Sequence, residues 1–118
     1  MSMLQPCLGF ILCTGLVLVL LGQTLSVTDF PVPTPNSVLT GIAKGSDGAL
    51  WFTEKLGNKI GRITTSGVVT EFLLPVDLSS PQQITPGSDG NLWFAEFGNR
   101  IGRISTAGGI VEFPVSLL

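Results

Sequence analysis

Two regimes of hydrophobic patterning divide the chain. Residues 8–21, LGFILCTGLVLVLL, run fourteen positions without a charge. From Val27 onward, short apolar stretches alternate with breaks rich in Gly, Asn and Asp, and no segment keeps an i, i+3, i+4 apolar spacing for three turns. The second regime predicts strands. Near the C-terminus they fall at about 82–86, 91–96, 100–105 and 110–115, separated by Gly87-Ser88-Asp89-Gly90, Gly98-Asn99 and Thr106-Ala107-Gly108-Gly109. Gly and Asn take positive φ at low cost, as tight hairpins require. Leu92, Trp93 and Phe94 are apolar and consecutive, which predicts a strand buried on both faces.

The same pattern occurs twice. Residues 42–54 read IAKGSDGALWFTE and residues 84–96 read ITPGSDGNLWFAE, a spacing of 42. After a one-residue deletion the match resumes at a spacing of 41, with GNKIGRI at 57–63 answered by GNRIGRI at 98–104, and Glu71-Phe72 by Glu112-Phe113. Val27-Thr28-Asp29-Phe30 repeats as Val69-Thr70-Glu71-Phe72, a partial earlier copy. Four antiparallel strands per unit of this length are the pattern of a β-propeller blade. The expected fold is all-β: a β-propeller-type repeat of two four-stranded antiparallel blades (about 38–74 and 80–116) with one preceding strand, following an N-terminal apolar helix.

Composition sharpens the division at the N-terminus. All charged residues lie at or after Asp29. An apolar run of fourteen is short of the roughly 20 residues that span a bilayer, so residues 1–26 are expected to be a secretory signal, with Thr24-Leu25-Ser26 as the cleavage motif and residues 27–118 as the exported segment. No Lys or Arg precedes the run, and an uncleaved anchor over 8–21 is the alternative. Cys7 and Cys13 both lie in this segment, so the exported chain is expected to carry no thiol or disulfide. The net charge is −2 and no basic block occurs, which excludes a nucleic-acid footprint. The chain has no histidine, which removes the commonest general base near neutral pH and any Ser-His-Asp triad around Ser46, Ser66 or Ser88.

GSDGALWFTE, GNKIGRITTSG and VTEF resemble the blade repeat of the streptogramin B lyase (virginiamycin B lyase) family, and Pro33-Thr34-Pro35-Asn36-Ser37 resembles its linker between blades. The resemblance covers residues 27–118. It implies a seven-bladed propeller that opens cyclic depsipeptide antibiotics by a metal-dependent carbon–oxygen elimination, with Mg²⁺ as cofactor. It also implies a Pro-His-x-Ile segment bearing the catalytic histidines. Here that segment is Pro81-Gln82-Gln83-Ile84, so Gln82 stands at the histidine position, and Thr40 stands there in the first unit. Neither side chain is a general base near neutral pH. The family's glutamate follows the WFA-type strand: Glu54 and Glu96 lie near that place, with Leu56 or Phe97 at the aligned position. Glu54 and Glu96 are therefore weak candidates for a metal or ligand contact, against the plainer expectation that each pairs with a neighbouring Lys or Arg as part of blade construction.

The remaining candidates have similar structural readings. Asp47 and Asp89 in GSDG suit turns better than calcium ligation. Trp51 and Trp93 suit core positions better than ligand stacking. Arg62 and Arg103 suit solvated or salt-bridged positions better than an anion clamp. Two blades leave two apolar faces uncovered, so the chain is expected to form a homo-oligomer or to join the remaining blades of a longer propeller. The expected function is that of a lyase-like propeller fragment without lyase activity alone. The alternative is a secreted oligomeric binding module for a carbohydrate or other small ligand.

Overall fold

A computed structural model of the chain describes residues 15–20 and 22–116. It divides into two compact units, Met1–Pro31 and Val32–Leu118. In the first, β1 (Gly15–Leu20) and β2 (Gln23–Thr28) form an antiparallel hairpin. This corrects the expected N-terminal helix where it can be compared. Residues 8–14 and 21 lie outside the described residues, and 15–20 are strand. Val17 and Val19 are β-branched, which favours extended backbone, and Gly22 turns the chain at φ 77°. The expected preceding strand at 27–30 begins inside β2, which pairs with β1. Cys7 and Cys13 also lie outside the described residues. Among the described residues, no helix is long and apolar enough to cross a membrane.

The second unit holds both blades. Blade 1 comprises β3 (Leu39–Lys44), β4 (Leu50–Glu54), β5 (Lys59–Ile63) and β6 (Val69–Leu73). Blade 2 comprises β7 (Pro81–Pro86), β8 (Leu92–Glu96), β9 (Arg100–Ile104) and β10 (Ile110–Pro114). Each is a meander of four antiparallel strands in chain order. The second-blade strands fall within a residue of their expected bounds.

Turn chemistry fixes the meander. Asp47 Oδ1 accepts from the Ala49 amide at 3.2 Å, and Asp89 Oδ1 accepts from the Asn91 amide at 3.1 Å, while Gly48 and Gly90 take φ of 80° and 82°. Each aspartate also accepts from an indole Nε1 at 3.1 Å, Trp51 in blade 1 and Trp93 in blade 2. Asp47 further pairs with Arg62 at 2.8 Å. Burial alone would raise the Asp47 carboxyl, but bonds from Trp51, Arg62 and Ala49 outweigh it and hold the group below the ordinary range.

Residues directly opposite one another in a ladder point to the same side, so register assigns the faces. In blade 1, Trp51, Thr53, Ile60 and Phe72 share one face. In blade 2, Ile84, Leu92, Phe94 and Ile104 occupy the opposite face. These two sets meet in a single core that also takes in Leu74, with Ala43 and Ile110 at its edge. The rings of Phe52 and Phe94 lie against Gly61 and Gly102: a Cβ at either glycine would stand 2.1–2.2 Å from ring carbons. That close approach is why the GRI motif carries glycine in both copies.

Candidate functional site

The two family-histidine positions sit on the first strands of the blades, β3 and β7, which run side by side across the seam. Both strands open with an irregularity in register, between Leu39 and Gly41 and between Pro81 and Ile84. Bulges of this kind re-aim side chains and recur beside active sites. Here they build the seam. Thr53 Oγ1 donates to the Gln82 carbonyl at 2.6 Å, and the Thr40 hydroxyl lies 3.0 Å from Thr53 Oγ1. The Thr40 hydroxyl also lies 3.2 Å from the Pro81 and Gln82 carbonyl oxygens, so its one proton serves this same cluster of acceptors across the seam. Gly41 allows the approach: a Cβ there would stand 2.9 Å from the Gln82 carbonyl oxygen. The Gln82 side chain turns back, its Nε2 donating to the Ser80 carbonyl at 3.1 Å.

At the end of β4 and the start of β5 lies a carboxylate cluster that recurs in blade 2. Glu54 is fully buried, and neither of its oxygens has a hydrogen-bond partner. Beside it, Glu71 accepts from the Thr34 amide at 3.0 Å and the Thr34 hydroxyl at 2.8 Å, and pairs with Lys59 at 2.9 Å. Burial, and next the neighbouring Glu71 carboxylate, push Glu54 up to about 7. Burial would raise Glu71 too, but the bonds from Lys59 and Thr34 prevail and hold it low. In blade 2 the counterparts are Glu96, Arg100 and Glu112. Arg100 Nε donates to Glu96 Oε2 at 3.0 Å, and its second nitrogen reaches Ser79 Oγ at 3.4 Å. Burial raises Glu96 despite that bond.

The pairing of Glu with a neighbouring cation thus differs between copies: Arg100 takes Glu96, whereas Lys59 takes Glu71. The partners Glu71, Glu112, Thr34 and Ser79 were not singled out in the sequence. The only signal was the repeat of Glu-Phe at 71–72 and 112–113, which marks the position without revealing that it folds back onto Glu54 or Glu96. Leu56 and Phe97 are exposed.

A divalent cation does not fit these clusters as they stand. No group of three metal-ligating side chains occurs among the described residues, and Lys59 and Arg100 already supply the positive charge beside the carboxylates.

Trp51 is buried and stacks on Phe72 at 5.7 Å between ring centroids; Trp93, half-buried, stacks on Phe113 at 5.8 Å. Arg62 lies over Trp51, and Arg103 lies over both Trp93 and Phe113.

Repeated four-stranded meanders, packed face to face through their first strands and sharing one core, define a β-propeller repeat protein. Comparison with known proteins makes the class specific. The profile described as the virginiamycin B lyase family matches residues 20–117, and the chain belongs to that family. The virginiamycin B lyase of Bordetella parapertussis is 49% identical over 45 residues, covering 38% of this chain and 15% of that protein. The Bacillus licheniformis enzyme is 48% identical over 43 residues, covering 36% and 15%. The solved virginiamycin B lyase of Staphylococcus aureus superposes with a TM-score of 0.74 at 43% identity, covering 88% of this chain and 35% of that one. A catalytically inactive variant of the S. aureus enzyme, solved with quinupristin, gives 0.72 at 44% identity over the same shares. The chain therefore spans about a third of the length of the solved lyases.

Proposed function

We propose that this chain is a non-catalytic blade pair of the lyase family, which builds a propeller wall and does not open streptogramin rings by itself. The observation that carries this reading is the pair of seam positions. Where the family's histidines are expected, Thr40 and Gln82 are spent on hydrogen bonds within the chain. Neither can take a proton from a substrate carbon near neutral pH.

The strongest counter-candidate is Glu54, since a carboxyl near 7 is well matched to base catalysis. Its side chain is fully buried beside Ser37 and Gly57, so a substrate proton cannot come within hydrogen-bond reach. Glu96 is likewise buried, and Arg100 holds one of its oxygens.

Quinupristin tests the reading, because it is the ligand named with the solved S. aureus variant. Ring opening by elimination yields a linear isomer of unchanged mass but different chromatographic retention. Incubation with the chain, with and without Mg²⁺, is expected to give no such isomer above the buffer control. Mg²⁺-dependent accumulation of it would overturn the proposal.

Export of the chain is a second part of this reading, supported by the uncharged run at 8–21 and the small residues that follow. N-terminal sequencing of protein recovered outside the producing cell is expected to begin at Val27. Recovery only in the membrane fraction, with residues 1–26 retained, would favour the anchor.

A further inference from the structure

The seam between the blades is a template for a contact that the chain's two outer faces can make with another copy. In blade 1, Ile60 is fully buried, because Ile84, Leu92 and Ile104 of blade 2 cover its face. The repeat counterpart of Ile60 is Ile101, which is 42% exposed. Around it, Trp93 and Phe113 keep the stacked geometry of Trp51 and Phe72 to within 0.1 Å in centroid separation and at the same 18° angle. Blade 2 therefore presents a ready-formed receiving face.

The complementary face is also on the chain. Ile84, which covers blade 1, is 7% exposed, and its repeat counterpart Ile42 is 64% exposed. Leu50 and Ile63 flank Ile42 as Leu92 and Ile104 flank Ile84. Backbone contacts follow the same rule. Ser46 Oγ donates to the Gly90 carbonyl across the internal seam at 2.8 Å, whereas a Cβ at Gly48, the counterpart of Gly90, would meet nothing within 4 Å.

We propose that the Trp93–Ile101–Phe113 face of blade 2, on which Ile101 and Phe113 are exposed, docks the Ile42–Leu50–Ile63 face of blade 1 of a second copy of this chain, head to tail. The occupant is argued from identity of surface. The face that already covers Trp51 and Ile60 within the chain exists a second time on the same chain, with Ile42 and Leu50 exposed and Ile63 half-buried. The contact is heterologous, so successive copies either close into a ring or grow without limit. Propellers of about four to eight blades close, which corresponds to roughly two to four copies of two blades. Docking of this kind is independent of whether any copy turns over a substrate.

Light scattering after size exclusion tests it on the full chain, with Ile101→Asp and Ile42→Asp as variants. Both side chains are exposed, so circular dichroism is expected to match wild type. Wild type is expected to run as one discrete species of two to four copies, and each variant alone as a monomer. Each variant keeps one intact face, so an equimolar mixture is expected to form a one-to-one dimer and nothing larger. A folded wild-type monomer would overturn the proposal and leave another chain or a further blade as the occupant. An oligomer that both variants leave unchanged would overturn it as well.

A second measurement does not depend on those variants. In a Cys7→Ser, Cys13→Ser background, Ile42→Cys with Ile101→Cys is expected to give a ladder of disulfide-linked chains on mild oxidation, because Ile101 and Ile42 repeat Ile60 and Ile84, which share the core at the internal seam. Absence of the ladder while the protein remains folded would count against head-to-tail docking.

Discussion

Glu54 is the residue whose environment departs furthest from an ordinary surface carboxylate. It folds into a site where its charged form is disfavoured by burial and by Glu71, with Lys59 already committed to Glu71. Its folded pKa, about 7, lies above the unfolded value of 4.5. The resulting stability is fully present below about 4.5 and lost as pH rises through 7, on the order of 3 kcal/mol at most. Glu71 works with the opposite sign: its lowered pKa gives stability above the carboxylate range that disappears on acidification. Thermal denaturation should therefore show a midpoint that falls between pH 5 and pH 8. Glu54→Gln should flatten that fall, and an unchanged slope would show that Glu54 is not its source. A second residue-scale test is Gly61→Ala. The added methyl would stand 2.1 Å from the Phe52 ring, so a loss of about 1–3 kcal/mol in denaturant unfolding is expected. Such groupings were only half legible in the sequence. The repeat pointed to Glu54 and Glu96 together, but which cation each glutamate meets depends on side-chain reach across strands, and Lys59 and Arg100 reach differently.

At the scale of strands, identical motifs lead different lives according to what lies beside them. LWF opens both β4 and β8, yet Trp51 is completely buried while Trp93 is only half-buried. Trp51→Ala should cost about 3–5 kcal/mol, the range for a large buried side chain, and Trp93→Ala clearly less, as read from paired urea titrations. Equal losses would mean that the outer face of blade 2 is covered in solution, as docking of a second copy requires at concentrations where it forms; the comparison is therefore made at the lowest workable protein concentration. The strands themselves were readable from alternation and turn residues, since Gly, Asn and Asp mark the reversals wherever positive φ is needed. The expected burial of β8 on both faces was not borne out, because three consecutive apolar residues report the capacity for burial and not the presence of a neighbour. Within the N-terminal run the comparison is confined to residues 15–20, where length and hydrophobicity suggested helix and the chain forms a strand that Gly22 turns into the hairpin at 15–28.

At the scale of the molecule, the two blades are one cooperative object because their facing sides form a single core. Trp51 and Ile60 come from one blade, Ile84, Leu92 and Ile104 from the other. The Thr40–Thr53–Gln82 hydrogen bonds tie the inner strands at the same seam. The positions that resemble the family's catalytic segment are here part of that construction. Repeat proteins are stabilised by each repeat and by the interface between neighbours, so the seam should govern how the structure opens. Native-state amide hydrogen exchange resolves this directly. Amides of β3–β5 and of β7–β8 are expected to share the slowest exchange, with a common opening free energy and a common response to denaturant. Protection of β3–β6 alongside fast exchange throughout β7–β10 would mean that the blades open independently, and would contradict a single shared core.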